Sequence, residues 1–192
     1  NRVVTLEKKG NPMKKRYNTF GTAVTLAAGA VFAALVAVAT YLLAIPIPAT
    51  AGYFNLGETI IYIASLVLGP FAGMFAGGGA AIADLLYPGG AVFAPATLVI
   101  KALEGLTVGL LNKKLLNKTR SLTLSASISI IFGGLIMILG YFVYEITALG
   151  FPVGVAFVEV PFNIVQMTVG LLIAVPIMYV VFRVFPQLKS QN

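Results

Sequence analysis

Apolar residues run along this chain in long unbroken blocks, separated by short joints rich in Gly, Pro or charge. Six blocks read as helices: Thr19 to Ala44, Leu56 to Leu68, Phe71 to Leu86, Pro95 to Leu116, Leu122 to Leu149 and Pro161 to Phe185. Several approach or exceed the ~20 residues that carry a helix across a bilayer core. The joints explain the stops. "IPIP" ends the first block, and "YPGG" ends the third. Gly69-Pro70 ends the second, because proline has no N–H for the helix ladder. Blocks two and three are short, so they either stand upright against their neighbours or form a hairpin inside the bundle. The pattern predicts an all-α integral membrane protein, a six-transmembrane-helix bundle.

Composition agrees. Of 192 residues, 59% are hydrophobic and 10% charged, and the mean hydropathy is +0.96. A soluble chain of this kind would have too little polar surface to show water. The net charge of +7 would suit nucleic acid, but the basic residues gather at the ends of apolar blocks. They sit at Lys14 to Arg16, between Asn112 and Arg120, and at Arg183 and Lys189. Six spans with N- and C-termini cytoplasmic put all these clusters on one side of the cell membrane. The loops at 45–55, 87–95 and 149–160 then face outward, and none contains Lys or Arg. Basic charge therefore reads as membrane orientation, with no nucleic-acid partner.

Residues 1–12 are polar and lack apolar periodicity. They read as an upstream extension, disordered or foreign to the natural chain, which starts at Met13; residues 13–192 form one membrane domain. Cys and His are both absent, which excludes disulfides, thiolate or imidazole metal sites and Ser–His or Cys chemistry. No Gly-rich phosphate loop of the G-x-x-x-x-G-K type is present, so ATP hydrolysis by that route is excluded. No cofactor or metal is expected, and no enzymatic activity.

Small residues mark close helix packing. Gly69, Gly73, Gly77 and Ala81 recur every four positions, a ridge that lets backbones approach. Ala23, Ala27, Ala30, Ala34 and Ala37 form a stripe on the first block. That stripe either packs inside the bundle or faces outward and docks another membrane protein.

Charge inside a membrane is expensive, so each ionisable residue there needs a reason. Asn55 and Glu58 resemble a capping box at the start of block two. Asp84 lies in the last turn of block three, where a carboxylate opposes the helix dipole. It either reaches outer water or pairs with Lys101 across the outer turn, and the Asp84–Lys101 pair is the expectation adopted. Thr97, Lys101 and Glu104 fall within about 60° of one another on block four at ~100° per residue. Glu159, Asn163 and Gln166 repeat the spacing on block six. Tyr141 and Glu145 share a face of block five, and Tyr144 suits either the pocket or an interfacial belt. All these groups occupy the outer halves of their blocks. A channel or proton pump needs a polar path across the midplane. A one-sided pocket opening outward does not, and Phe54 and Phe93 in the outer loops could stack on a small heteroaromatic ligand.

Three stretches resemble one family: "AVFAALVAVATYLLAIPIP", "GYFNLGETIIYIASLVLGPFAGMFAGGGAAIADLL" and "YPGGAVFAPATLVIKALEGLTVGLL". They are similar to the S component, the substrate-binding subunit, of energy-coupling factor (ECF) vitamin transporters. The nearest branch is that of riboflavin, hydroxymethylpyrimidine and pyridoxine carriers. The resemblance implies high-affinity capture of a small water-soluble vitamin from outside a prokaryotic cell. It favours a hydroxymethylpyrimidine- or pyridoxine-like ligand, with riboflavin next. It implies partners in a transmembrane coupling subunit and two ABC ATPases. It implies that Ala30 and Ala34 meet the coupling subunit. It carries ligand binding onto Lys101, Glu104, Tyr144, Glu145, Asn163 and Gln166. The competing reading is a stand-alone secondary transporter, against which no inverted repeat or broken helix pair is found.

Overall fold

The computed structural model describes residues 22–47, 49–50 and 52–189. The proposed extension 1–12, the start at Met13 and the Lys14 to Arg16 cluster lie outside the described residues. The described chain is mostly helical: α1 (Thr22–Leu42), α2 (Gly57–Leu68), α3 (Pro70–Leu86), α4 (Ala94–Thr119), α5 (Leu122–Thr147), α6 (Val153–Val184) and a short α7 (Pro186–Lys189). Four of them, α1, α4, α5 and α6, are long and apolar enough to cross a membrane, while α2 and α3 are shorter apolar helices.

Two strands, β1 (Ile45–Pro46) and β2 (Tyr53–Phe54), pair antiparallel in the joint after α1. The sequence gives no hint of this hairpin, since each strand has two residues and no alternation. Ile47 N–H donates to Gly52 O at 2.8 Å and closes the loop.

Helix α6 starts earlier than its sequence suggests. Pro161 reads as an early helix residue, yet the helix runs from Val153 and holds both Pro161 and Pro176 inside it. Before Pro161, Ala156 is buried and Val160 packs against Ile100 and Met137, and that outweighs the lost backbone bond. At 32 residues, α6 is about 48 Å long, more than the bilayer core is thick.

Glycine sets the centre of the bundle. Helix α3 lies between α1 and α4. A Cβ on Gly77 would occupy the space of the Lys101 carbonyl, and one on Gly79 that of the Ala33 carbonyl. Backbone thus meets backbone on both sides of α3, as the small-residue ridge implies. Gly69 joins α2 to α3 with φ 95, a left-handed conformation that favours glycine. Below the site the core is apolar, built on Tyr62, Leu66, Val108, Ile130 and Met178. Ser121 caps α5 by accepting from Leu124 N–H, and Arg120 turns the chain there with φ 55.

The helices alternate in direction, so the hairpin, the 3-10 turn at Gly90–Val92 and the α5–α6 joint share one end of the bundle. Lys113, Lys114, Lys118, Arg120, Arg183 and Lys189 share the other.

Candidate ligand cavity

Four helices converge on one buried ammonium. The stripe on α4 points Lys101 into the bundle, where it is 3% exposed. Its Nζ bonds Glu58 of α2, Glu104 of its own helix at 3.2 Å and Met137 Sδ of α5 at 2.7 Å. Gln166 of α6 donates from Nε2 to Glu58 Oε2 at 3.2 Å. Below, Tyr62 OH donates to Glu104 Oε1 at 2.8 Å. Charges this deep survive only when paired and hydrogen-bonded.

This geometry corrects two expectations. The ion pair runs from Lys101 to Glu58 and Glu104, not to Asp84, because α2 brings Glu58 to the level of the ammonium. Glu58 therefore does not complete a capping box. Asn55 Oδ1 accepts from Gly57 N–H at 2.9 Å, while Leu56 caps α2 without a side-chain bond. Asp84 instead receives the Tyr53 hydroxyl from the hairpin. Burial, then the neighbouring Asp84 charge, push the Tyr53 phenol well above its ordinary pKa, so it stays a neutral donor.

Above Lys101 lies a small cavity of about 40 Å³. Its walls come from every layer of that end. Thr40 (α1) and Tyr53 and Asn55 (hairpin) form one side; Asp84 (α3), Phe93, Thr97 and Lys101 (α4) another; Tyr141 (α5), Glu159, Asn163 and Gln166 (α6) the third. Tyr141 OH donates to Thr97 at 2.9 Å, and Lys101 Nζ sits 5.7 Å from the Tyr141 ring centre.

The hairpin closes over the cavity. Asn55 N–H donates to Gln166 Oε1 at 3.0 Å. Thr50 hydroxyl donates to Glu159 Oε1, and Gly52 N–H donates to Thr50 Oγ1 at 3.2 Å. The backbone at Gly52 presses so closely on the Glu159 carboxylate that a Cβ has no room.

Of the six residues expected to bind the ligand, Lys101, Asn163 and Gln166 line the cavity together, with Asp84, Thr97, Tyr141 and Glu159 from the other polar positions noted in sequence. Glu104 lies below the wall, bonded to Lys101 and Tyr62. Glu145 is fully buried with neither carboxylate oxygen hydrogen-bonded, close to Glu159 behind the wall. Tyr144 donates to Val92 O at 2.6 Å, with its ring 6.4 Å from Phe93, and so props the rim. Phe93 lines the cavity, whereas Phe54 lies in an apolar groove beside Ile45 and Phe162. The sequence reading missed Tyr53 and Thr40 on the wall; an aromatic flanked by Gly52 and Asn55 in an outer joint was the available signal. Ala30 and Ala34 are exposed on α1, away from its buried Gly29, Val36 and Thr40.

The described chain is a largely apolar helical fold with a polar cavity at one end, roofed by a hairpin, which is the geometry of a binding site. Residues 21–183 match the family model described as ECF-type riboflavin transporter, S component. The chain belongs to that family, whose members work with an ECF module of membrane and ATPase subunits. A protein of Pyrococcus woesei described as an uncharacterized protein in a gap 3′ region is 40% identical over 140 residues, 72% of this chain and 88% of that one. The fold is similar to that of the biotin S component of an ECF-type ABC transporter, with a TM-score of 0.63, 19% identity, and coverage of 95% of this chain and 96% of that one. It also resembles the S component of a bacterial ECF transporter, with a TM-score of 0.57, 18% identity, and coverage of 83% of this chain and 93% of that one.

Proposed function

We propose that this chain is the high-affinity vitamin-binding subunit of an ECF-type ABC importer in a prokaryotic plasma membrane. Six helices, α1 to α6, cross the membrane with both termini cytoplasmic, and the cavity faces outward beneath the hairpin. ATP is hydrolysed by two partner ATPases, and a transmembrane coupling subunit docks on α1 at Ala30 and Ala34. The observation that carries this reading is the roofed polar cavity in a chain of this family. Its walls combine aromatic faces with a few placed polar groups, as small-molecule sites do. Its volume of about 40 Å³ is well below the ~300–1,000 Å³ of usual small-molecule sites. The hairpin must therefore give way to admit a ligand, and a small one needs the least opening. That favours a single-ring vitamin or precursor, hydroxymethylpyrimidine- or pyridoxine-like, over riboflavin.

Lys101, Asn163 and Gln166 contact the ligand with Tyr53, Asn55 and Asp84, while Glu104, Tyr144 and Glu145 act from behind or above the wall. The test is a thermal-shift screen of the detergent-solubilised chain against B vitamins and their precursors, without sodium or a proton gradient. A ligand that binds only the native state raises its melting temperature by mass action. Gradient-driven uptake into liposomes by this chain alone would overturn the subunit reading.

A further inference from the structure

We propose that the ligand presents an exocyclic amino group to Asp84, in a cavity whose wall also carries Glu159. These carboxylates select such a ligand over neutral oxygen-bearing relatives of the same ring. The inference rests on the vitamin-binding reading above and names the chemical class that site takes.

The first support is a charge imbalance. Among the described residues the acids are Glu58, Asp84, Glu104, Glu145 and Glu159, and all are buried. All five lie toward the hairpin end, with one basic residue, Lys101, among them. An ammonium has three N–H donors. Those of Lys101 already meet Glu58, Glu104 and Met137. Lys101 therefore offers the ligand no donor without giving up one of these bonds.

The second is an orphaned atom. Asp84 lines the cavity and is 5% exposed. Tyr53 satisfies its Oδ1, while Oδ2, with the Thr97 hydroxyl beside it, makes no hydrogen bond of ordinary geometry. A buried carboxylate oxygen left unpaired is costly, and a charged or N–H donor answers it best.

The remaining polar wall points the same way. Gln166 spends its amide N–H on Glu58 and its oxygen on Asn55 N–H. Glu159 is held at Oε1 by the neutral Thr50 hydroxyl, forms no ion pair among the described residues and lies against the buried Glu145, so it is the lesser of the two wall carboxylates for a ligand. An acceptor-rich ligand would have the Asn55 and Asn163 amides to meet but would set oxygen against oxygen at Asp84 and Glu159. An exocyclic amine would meet carboxylates, with the faces of Phe93, Tyr53 and Tyr141 around it.

The experiment uses the purified full chain in detergent and isothermal titration with pyridoxamine, pyridoxine, hydroxymethylpyrimidine and riboflavin. Pyridoxamine and pyridoxine share a ring and differ by an aminomethyl for a hydroxymethyl group. The expected result is that pyridoxamine binds at least ~10-fold tighter than pyridoxine, the usual worth of a charge-assisted bond. Asp84→Asn should bring the two within a few-fold of each other, and Glu159→Gln should narrow the gap. Equal affinities in the wild type, or riboflavin binding tightest, overturn this inference and leave the vitamin-binding function standing. The matched pair is read on the wild-type protein, so misfolding of a variant does not rescue the idea. If neither these four compounds nor any other B vitamin binds, the proposed function fails and the inference with it.

Discussion

Lys101 on α4 closes onto Glu58 on α2 in a bundle that leaves their side chains 4% and 1% exposed. That pair, with Glu104 beneath it, ties together helices that are not neighbours in sequence. Removing the ammonium leaves two carboxylates buried side by side. Lys101→Met should therefore destabilise the protein by about 3–5 kcal/mol, measured by thermal or denaturant unfolding in detergent. Adding Glu58→Gln should recover part of the loss. Strictly additive effects in the double-mutant cycle would mean the pair is not coupled.

Tyr62 supports the same cluster from below. Tyr62→Phe removes one hydroxyl and leaves Glu104 Oε1 buried without its donor. The expected cost is about 1–3 kcal/mol in unfolding, and affinity for ligand should change little because Tyr62 does not line the cavity.

The contact between α3 and α4 leaves no room for a side chain at Gly77. Gly77→Ala should force the helices apart and cost about 1–3 kcal/mol. Gly154, near the start of α6, has nothing within 4 Å of an added Cβ. Gly154→Ala should be neutral or stabilising by up to about 1 kcal/mol. Similar losses at both positions would contradict the close approach.

The hairpin roof is held to α6 by the Thr50–Glu159 and Asn55–Gln166 hydrogen bonds and by the tight seat of Gly52. Thr50→Val should speed ligand release several-fold at nearly constant melting temperature, since the loop opens by breaking few contacts. Gly52→Ala should do so more strongly, because the Cβ pushes the loop off Glu159. Stopped-flow release rates check both. Unchanged rates would show that the ligand leaves by another path.

Ala30 and Ala34 face outward on α1. Ala30→Leu with Ala34→Leu should leave folding and vitamin binding intact while reducing co-purification with the coupling subunit. Undiminished co-purification would remove this face from the docking assignment.

Helix positions are largely legible in the sequence, because lipid-length apolar runs and their Gly and Pro stops act locally. The polar stripes of α4 and α6 are legible for the same reason, since residues three and four apart share a helix face. The partner of Lys101 is not. Glu58 precedes it by 43 residues beside what reads as a cap, and nothing local says that α2 rather than α3 delivers the counter-ion. The hairpin escapes notice because its pairing is held by tertiary contacts with α3 and α6. The start of α6 is hidden because Pro161 carries a helix-start signal that packing overrides.

The corner at Gly69 and Pro70 meets α4 at Gly109. Helix α4 then continues for ten residues, to Thr119, about 15 Å farther. The α2–α3 layer thus ends well short of its neighbour. The overhang carries Lys113, Lys114 and Lys118 and belongs outside the hydrocarbon. Helix α3, at 17 residues, is only about 25 Å long, so lipid tails beside it must shorten or splay at a fraction of a kcal/mol for each ångström of mismatch. Acyl-chain length therefore becomes a variable in how this protein sits, and reconstitution in thin and thick bilayers should not give the same protein mechanically.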